Sequence, residues 1–179
     1  YAELDPLFIK TIQSLHEPTT EKELKDERLR IRFKDGRNFV KTTTQHFDVI
    51  FVNMGLPTSL AINRYDTQEF FKEVRGVLQK DGIAVFKTWG SLAYLSEELK
   101  KINASLFVTL SSVFPYCEVI PGDGFNIFIA SGQKISLNPA ILSENWTRLN
   151  LKASLINPEY IGLRLQKSYL DWFTASIKN

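Results

Sequence analysis

Two apolar segments with an amphipathic segment between them constrain the fold of this chain more than any other feature. Residues 46–52 are largely β-branched and aromatic, and Gly55 and Pro57 follow them, which is typical of a strand buried on both faces. Asp66 and Glu69 have capping-box spacing. The residues that then fall on one helical face are Phe70, Phe71, Val74, Val77 and Leu78. Residues 82–86 predict a second buried strand, so the order predicts a βαβ unit and an α/β fold with a mostly parallel sheet.

The same kind of alternation extends the predicted sheet in both directions. The further predicted elements are a strand end at residues 1–4, a helix from Pro6 to about His16, a polar loop over 17–27, a strand over 28–34, a helix over 91–102 and strands over 105–113 and 125–130. The strand over 28–34 has one basic face. We interpret that face as protection of an exposed edge rather than as a phosphate groove, because cationic side chains oppose edge-to-edge pairing.

The pattern changes after residue 131 to short helical segments introduced by Asn-Pro pairs. Helices are predicted over 139–149 and 158–177. Aromatic residues in the second segment fit either a core or a surface that covers a groove or binds a partner. We therefore divide the chain into a sheet domain, residues 1–133, and a helical extension, residues 134–179.

Composition excludes several classes of protein. The 22 basic and 20 acidic residues give a net charge of +2, which is too small for a nucleic-acid partner. A single cysteine and two histidines make a Cys/His zinc site implausible, and we predict no metal site. No apolar run approaches the ~20 residues of a membrane helix, and the first residues lack the basic-then-apolar order of a signal peptide. These observations predict a cytoplasmic chain with no membrane contact of its own.

Polar residues follow three of the predicted strands, where open α/β sheets bind ligands. Glu3 can accept hydrogen bonds from a ribose diol, or simply face solvent. Asp35 and Gly36 suit the edge of a base, although Asp-Gly is also a common turn. The segment from Asn53 to Tyr65 is too long for a minimal connection and predicts a functional loop.

Motifs in a specific order resemble the spermidine synthase family across residues 1–130, within the wider class of S-adenosylmethionine-dependent transferases with a Rossmann-like fold. They are Glu3-Leu4-Asp5-Pro6, Asp26-Glu27-Arg28-Leu29, Asp35-Gly36-Arg37-Asn38-Phe39, Phe47-Asp48-Val49-Ile50, the Pro57 loop, Glu69-Phe70-Phe71 and Leu78-Gln79-Lys80-Asp81-Gly82-Ile83. The resemblance implies that Glu3 holds a nucleoside ribose. It also implies that Asp35 and Gly36 lie at the adenine of S-adenosylmethionine or its decarboxylated form, bound as substrate.

Three residues depart from the family pattern in the predicted substrate region. Asn53 and Leu56 stand where the family's mechanism uses carboxylates, one to take a proton from the attacking amine and one to hold the cationic polyamine. Ile120 stands at the family's substrate tyrosine, and Pro57 and Tyr65 complete the predicted substrate loop. Since an amide cannot take that proton, ordinary transfer to putrescine is expected to be absent or very slow, and Asn53 would orient a substrate rather than act as a base.

The substrate loop and the tail are similar to a branch of the family that is fused to membrane-spanning segments. The resembling residues are Asn53, 63–65 and 157–165. The chain would then be a soluble piece of a larger membrane protein. The family's glycine-rich turn and first strand fall before Tyr1, so the sheet is expected to lack a strand and to leave an apolar edge. We expect homo-oligomerisation or a missing N-terminal segment to cover that edge.

Three functions remain open at this point. The first is a transferase domain that binds an S-adenosylmethionine-type nucleotide and has diverged from putrescine aminopropyl transfer. The second is a non-catalytic scaffold or interaction domain of a larger protein. The third is a methyltransferase, since methyl transfer to a good nucleophile needs orientation more than a strong base.

Overall fold

The computed structural model describes residues 1–55 and 57–178. It divides into two compact units, Tyr1–Gln45 and His46–Asn179. Leu56, one of the predicted substrate-loop residues, lies outside the described residues.

The first unit combines a two-stranded parallel sheet with three helices. Its elements are β1 Ala2–Glu3, α1 Pro6–Ser14, α2 Pro18–Leu24, β2 Arg32–Phe33 and α3 Gly36–Thr42. Strand β1 pairs with β2 so that Glu3 lies opposite Phe33. The predicted strand end and the helix capped by Asp5 are confirmed, since the Asp5 carboxylate accepts a hydrogen bond from Leu7 N at 2.8 Å.

Two expectations for the first unit are wrong, for local reasons. The segment 17–27 holds helix α2 rather than a loop. Glu17 caps this helix by accepting from the backbone N of Thr19 and Thr20 at 3.1 and 2.6 Å, and Pro18 supplies a proline at its start. A hydrogen bond from the Thr20 side chain, together with these backbone bonds, lowers the pKa of Glu17 to about 2. The basic strand shortens to β2, because Asp26 holds Arg28 in a turn through Nη2–Oδ2 contact at 2.6 Å.

The second unit contains a four-stranded mixed sheet and six helices among its described residues. Its elements are β3 Phe47–Val52, α4 Leu60–Asn63, α5 Gln68–Gly76, β4 Leu78–Gly90, α6 Glu97–Ser111, β5 Tyr116–Ile120, β6 Gly124–Ser131, α7 Pro139–Arg148, α8 Pro158–Arg164 and α9 Lys167–Lys178. The strand order is β3-β4-β6-β5, in which β3 and β4 are parallel and β6 is antiparallel to both its neighbours. The predicted β-α-β order of β3, α5 and β4 is confirmed.

The core of this unit lies between the sheet and helices α5 and α6. The rings of Phe71 and Phe86 meet at 4.9 Å between centroids, and Phe128 is fully buried on β6. Helix α5 begins one residue later than a cap at Asp66 would place it, because the Thr67 hydroxyl accepts from Phe70 N. Aromatic and aliphatic burial of this kind supplies most of the driving force for folding.

Two strand predictions in the second unit are wrong. Residues 105–113 belong mostly to α6, which Ser96 caps and which buries Leu106 and Leu110 one helical turn apart. The strand that follows α6 is β5, which begins only at Tyr116, beyond the predicted range. Strand β3 was predicted to be buried on both faces, but it is an edge strand whose Phe51 side chain is 73% exposed.

The tail is helical, as predicted, but the expected helix over 158–177 is two helices, α8 and α9. The buried side chains of α9 are Phe173 and Ile177, and the helix contacts α6 and β5. Helices α7 and α8 pack mainly against each other. A domain boundary near residue 133 stays a prediction.

Candidate functional site

The first unit places Glu3 and Asp35 at the carboxyl end of its two parallel strands. Glu3 ends β1, and Asp35 lies two residues beyond Phe33, the partner of Glu3 on β2. Lys34 N donates to Glu3 O at 3.0 Å, which fixes this register. Glu3 thus ends a strand and Asp35 follows another, as predicted from the sequence, and the pairing of β1 with β2 makes these strands neighbours.

Local hydrogen bonds hold the Glu3 carboxylate in its ionised form. One oxygen accepts from Asp5 N at 3.0 Å and the other from the Tyr1 hydroxyl at 2.7 Å. These bonds lower the pKa of Glu3, the backbone bond from Asp5 having the larger effect. Because a carboxylate has about four lone-pair positions, acceptor capacity remains for a ligand hydroxyl.

Asp35 and Gly36 form the start of a helix rather than an isolated turn. The Asp35 carboxylate accepts from Asn38 N at 2.9 Å as the N-cap of α3, and Gly36 is the first helical residue. Capping thus fixes the position of the Asp35 carboxylate at the start of α3.

In the second unit, the predicted loop residues separate into exposed and buried positions. Asn53 and Pro57 are exposed after β3, whereas Tyr65 is buried. The Tyr65 ring packs edge-on against Phe70 at 5.1 Å, and its hydroxyl accepts from Arg64 Nη2 at 3.0 Å. Tyr65 thus anchors the end of the loop in the core.

A cleft of about 270 Å³ lies beside this loop in the second unit. Its described lining residues are Gly55, Pro57, Asn63, Asp66, Lys87, Thr88, Lys101, Ile102, Ser105 and Leu106. They come from the segment after β3, from the turn between α4 and α5, from β4 and from α6. The cleft therefore includes Pro57 of the predicted substrate loop.

Asp66 is the acidic group among these lining residues. Burial raises the pKa of its carboxyl from 3.8 to about 6. The sequence assigned Asp66 to helix capping, and its place in a cleft was missed because α6, more than 30 residues further along the chain, forms part of the lining. Its position within a long polar connection was the available signal.

Ile120 lies at the end of β5, next to a turn that buried amides hold in place. Asn126 Oδ1 accepts from Gly122 N at 2.9 Å, and Asn126 Nδ2 donates to Asn103 Oδ1 at 2.8 Å. Asn103 Nδ2 in turn donates to the backbone oxygen of Trp89 at 3.0 Å. Both asparagine residues are completely buried, so this network ties α6, β4 and β6 to the turn after Ile120.

Glycine is required at two positions around this network. A Cβ at Gly90 would overlap the side chain of Asn126, and a Cβ at Gly122 would overlap the backbone oxygen of Phe125. The turn is also held from the tail, since Arg164 Nη2 donates to Pro121 O at 2.6 Å. Helix α8 thus helps to fix the position of Ile120, which sequence reasoning did not reveal.

Two kinds of feature are absent from the described ranges. Residues 1–55 and 57–178 hold no group of three or more His, Cys, Asp or Glu side chains arranged to bind a metal ion. Within the same two ranges, no helix is both long and apolar enough to cross a membrane.

Comparison with curated sequences gives a consistent set of relatives. The polyamine aminopropyltransferase of Thermoanaerobacter sp. (strain X514) is 25% identical over 168 residues, which cover 89% of this chain and 60% of the relative. That of Prochlorococcus marinus (strain MIT 9312) is 32% identical over 96 residues, 53% of this chain and 32% of the relative. The chain thus spans at most about 60% of the length of these relatives.

Solved structures show the fold. A spermidine synthase in complex with the transition state analogue AdoDATO has a TM-score of 0.75 at 20% identity, covering 99% of this chain and 60% of that chain. Human methyltransferase-like protein 13 in complex with SAH has a TM-score of 0.59 at 18% identity, covering 87% and 72%. The chain therefore has the Rossmann-like fold predicted from its sequence.

The family assignment comes from the sequence as a whole. Residues 2–138, well over half of the chain, match the spermine/spermidine synthase domain. The matched range includes Glu3, Asp35, the Asn53 loop and Ile120. This chain belongs to the spermine/spermidine synthase domain family.

Proposed function

We propose that this chain is a transferase domain that binds an S-adenosylmethionine-type nucleotide and has diverged from aminopropyl transfer to putrescine. The observation that carries the proposal is the position of Glu3 and Asp35 at the same end of β1 and β2, within the range that matches the family. Glu3 would accept from the ribose hydroxyls, and Asp35 from the exocyclic amine of adenine.

The proposed divergence is supported by the residues that follow β3 and β5. Asn53 is an amide, and an amide does not take up the proton that an attacking amine must lose. Leu56 and Ile120 are apolar at the other two substrate positions, where the family resemblance implies a carboxylate and a tyrosine. Asn53 would then orient the acceptor by hydrogen bonding.

We also place the chain in the branch of the family that is fused to membrane-spanning segments. Asn53, the Asn63-Arg64-Tyr65 sequence and the residues of α8 support this placement. The longer protein would then carry this unit as its transferase domain.

Calorimetric titration tests nucleotide binding directly. The chain is titrated with S-adenosylmethionine, its decarboxylated form and methylthioadenosine. Glu3→Gln and Asp35→Asn are the test variants, and Glu27→Gln is the control because Glu27 is an exposed acid of the same unit. Asparagine keeps the cap of α3, so Asp35→Asn changes charge with little effect on the helix.

We expect each test variant to bind at least about tenfold more weakly, since a hydrogen bond to a charged group contributes about 1.5–3 kcal/mol. The control should bind like the wild type. No binding of any of the three nucleotides, either by this chain or by a version extended N-terminally, would reject the transferase in favour of an interaction domain. Preference for S-adenosylmethionine over its decarboxylated form would identify a methyltransferase instead.

A further inference from the structure

We infer that the acceptor of the proposed transferase is an amine that also carries a carboxylate, with its ammonium group bound by Asp66 and its carboxylate bound by Lys101. The inference rests on the proposed function and names the substrate class of its acceptor site. The site is the cleft formed by the turn between α4 and α5, strand β4 and helix α6.

Asp66 and Lys101 line this cleft from two different elements, and both are available to a ligand. Neither makes an ion pair or a side-chain hydrogen bond with another residue in the described part of the chain. The neighbouring Lys100, in contrast, is paired with Glu97 at 2.8 Å. Among the described residues of the lining, Asp66 and Lys101 are thus an anionic and a cationic group that each lack a partner of opposite charge.

The Asp66 carboxylate is partly buried yet open to the cleft. Every fully buried side-chain oxygen and nitrogen of the described residues has a hydrogen-bond partner, so the unbonded Asp66 oxygens retain contact with solvent. Burial without a compensating charge disfavours the ionised carboxyl. A bound ammonium group would supply that charge, which favours cationic ligands at this position.

Lys87 does not supply the missing charge, although it belongs to the lining. Its ammonium group lies over the Phe125 ring at 4.7 Å, and Phe125 pairs with Trp89 on the neighbouring strand. Because side chains alternate along a strand, Lys87 and Trp89 share one face of β4, and Thr88 points to the other. Lys101 is therefore the lysine of the lining that remains to bind an anion.

The rest of the described lining includes apolar surface that suits the aliphatic part of such a ligand. Pro57, Ile102 and Leu106 contribute apolar surface to the cleft. A diamine would place its second ammonium group near Lys101, and like charges repel. An aminocarboxylate of the same length would satisfy both charged groups, so the arrangement favours it over putrescine.

Four small molecules of nearly equal length test the inference: butylamine, butanoate, 1,4-diaminobutane and 4-aminobutanoate. Binding to the chain is followed by NMR amide shifts at pH 7.5. We expect 4-aminobutanoate to bind about tenfold more tightly than 1,4-diaminobutane. Tighter binding of 1,4-diaminobutane, or no difference between the two, would overturn the inference.

Variants locate each half of the ligand. Asp66→Asn should weaken 4-aminobutanoate and butylamine about tenfold, and Lys101→Gln should weaken 4-aminobutanoate and butanoate while leaving butylamine unchanged. The matched controls are Asp48→Asn and Lys100→Gln, which change exposed or partly exposed charges outside the cleft. If Asp66→Asn weakens binding no more than Asp48→Asn does, the assignment of Asp66 is contradicted. The same holds for Lys101 if Lys101→Gln weakens binding no more than Lys100→Gln does.

The nucleotide titration separates this inference from the proposed function. If the chain binds a nucleotide but shows no preference for 4-aminobutanoate, the acceptor assignment fails alone. If the amine preference and its dependence on Asp66 and Lys101 are present without nucleotide binding, the transferase fails and the cleft stands as an aminocarboxylate site. Amide spectra of each variant show whether it remains folded.

Discussion

At the scale of single residues, the carboxyl groups with shifted pKa values divide between those stabilised by nearby donors and Asp66, which has no such donor. Glu3, Glu17 and Asp26 have lowered pKa values because nearby donors stabilise their ionised forms. Asp66 has a raised pKa, because burial is not offset by a donor. An acid that costs stability when ionised is typical of a functional position.

This difference predicts how Asp66 affects stability with pH. Its carboxyl has a pKa of about 6 in the folded chain and 3.8 as a reference, so the folded state holds more protons between these values. Stability from this group is therefore lost as pH rises from about 4 through 6. Asp66→Asn should raise the free energy of unfolding at pH 7.5 by about 1 kcal/mol, after allowance for solvent screening in the open cleft.

Urea unfolding at pH 4 and at pH 7.5 measures the effect. The variant and the wild type should be nearly equal at pH 4, where both carry an uncharged group at this position. Asp48→Asn serves as the exposed control. A gain of the same size at both pH values would show that the effect of Asp66 is not one of ionisation.

At the scale of elements, structural features that depend on residues close in the sequence could be predicted. Features that depend on contacts between distant residues could not. The Asp5-Pro6 cap and the apolar face of α5 could be read locally. The end of α6 could not, because burial of Leu106 and Leu110 against the sheet decides between helix and strand there. The contact between Asn103 and Asn126 joins two elements 23 positions apart, and no local pattern encodes it.

The amide pair predicts a specific loss of stability. Asn126→Ala removes the acceptor of Gly122 N and the donor to Asn103 Oδ1, and leaves both buried without a partner. We expect the free energy of unfolding to fall by about 3 kcal/mol, since each unsatisfied buried group costs about 1–3 kcal/mol. Gln133→Ala, which truncates an exposed side chain just after β6, is the control.

Urea unfolding under one condition measures the free energy of unfolding of Asn126→Ala and of Gln133→Ala. The amide resonance of Gly122 should also shift in Asn126→Ala, because its hydrogen bond is lost. A loss of less than about 1 kcal/mol would mean that water replaces the side chain in the network.

At the scale of the whole molecule, β3 is an edge strand of the four-stranded sheet in the described part of the chain. It pairs with β4 on one side among the described strands, and its Val49 and Phe51 side chains are 45% and 73% exposed. Unpaired edges with apolar side chains template pairing with another chain. The chain spans at most about 60% of the length of its curated relatives, so sequence alone did not determine what covers this edge.

We predict that the isolated chain self-associates through β3 at micromolar concentration. Phe51→Lys should shift sedimentation profiles towards the monomer, because a charge at the edge opposes pairing. Leu155→Lys is the control, since Leu155 is 85% exposed but lies in the tail. A monodisperse wild-type monomer at these concentrations would contradict the prediction.

The contact between Gly90 and Asn126 has a consequence for how this domain can evolve. Any side chain at position 90 would occupy the space of the Asn126 amide, and Asn126 cannot shrink without leaving polar groups unsatisfied. Each substitution is therefore harmful on its own, and a larger residue at 90 becomes tolerable only after a smaller one at 126. The two positions form an epistatic pair, so homologues that have lost the asparagine are where a side chain at position 90 should first arise.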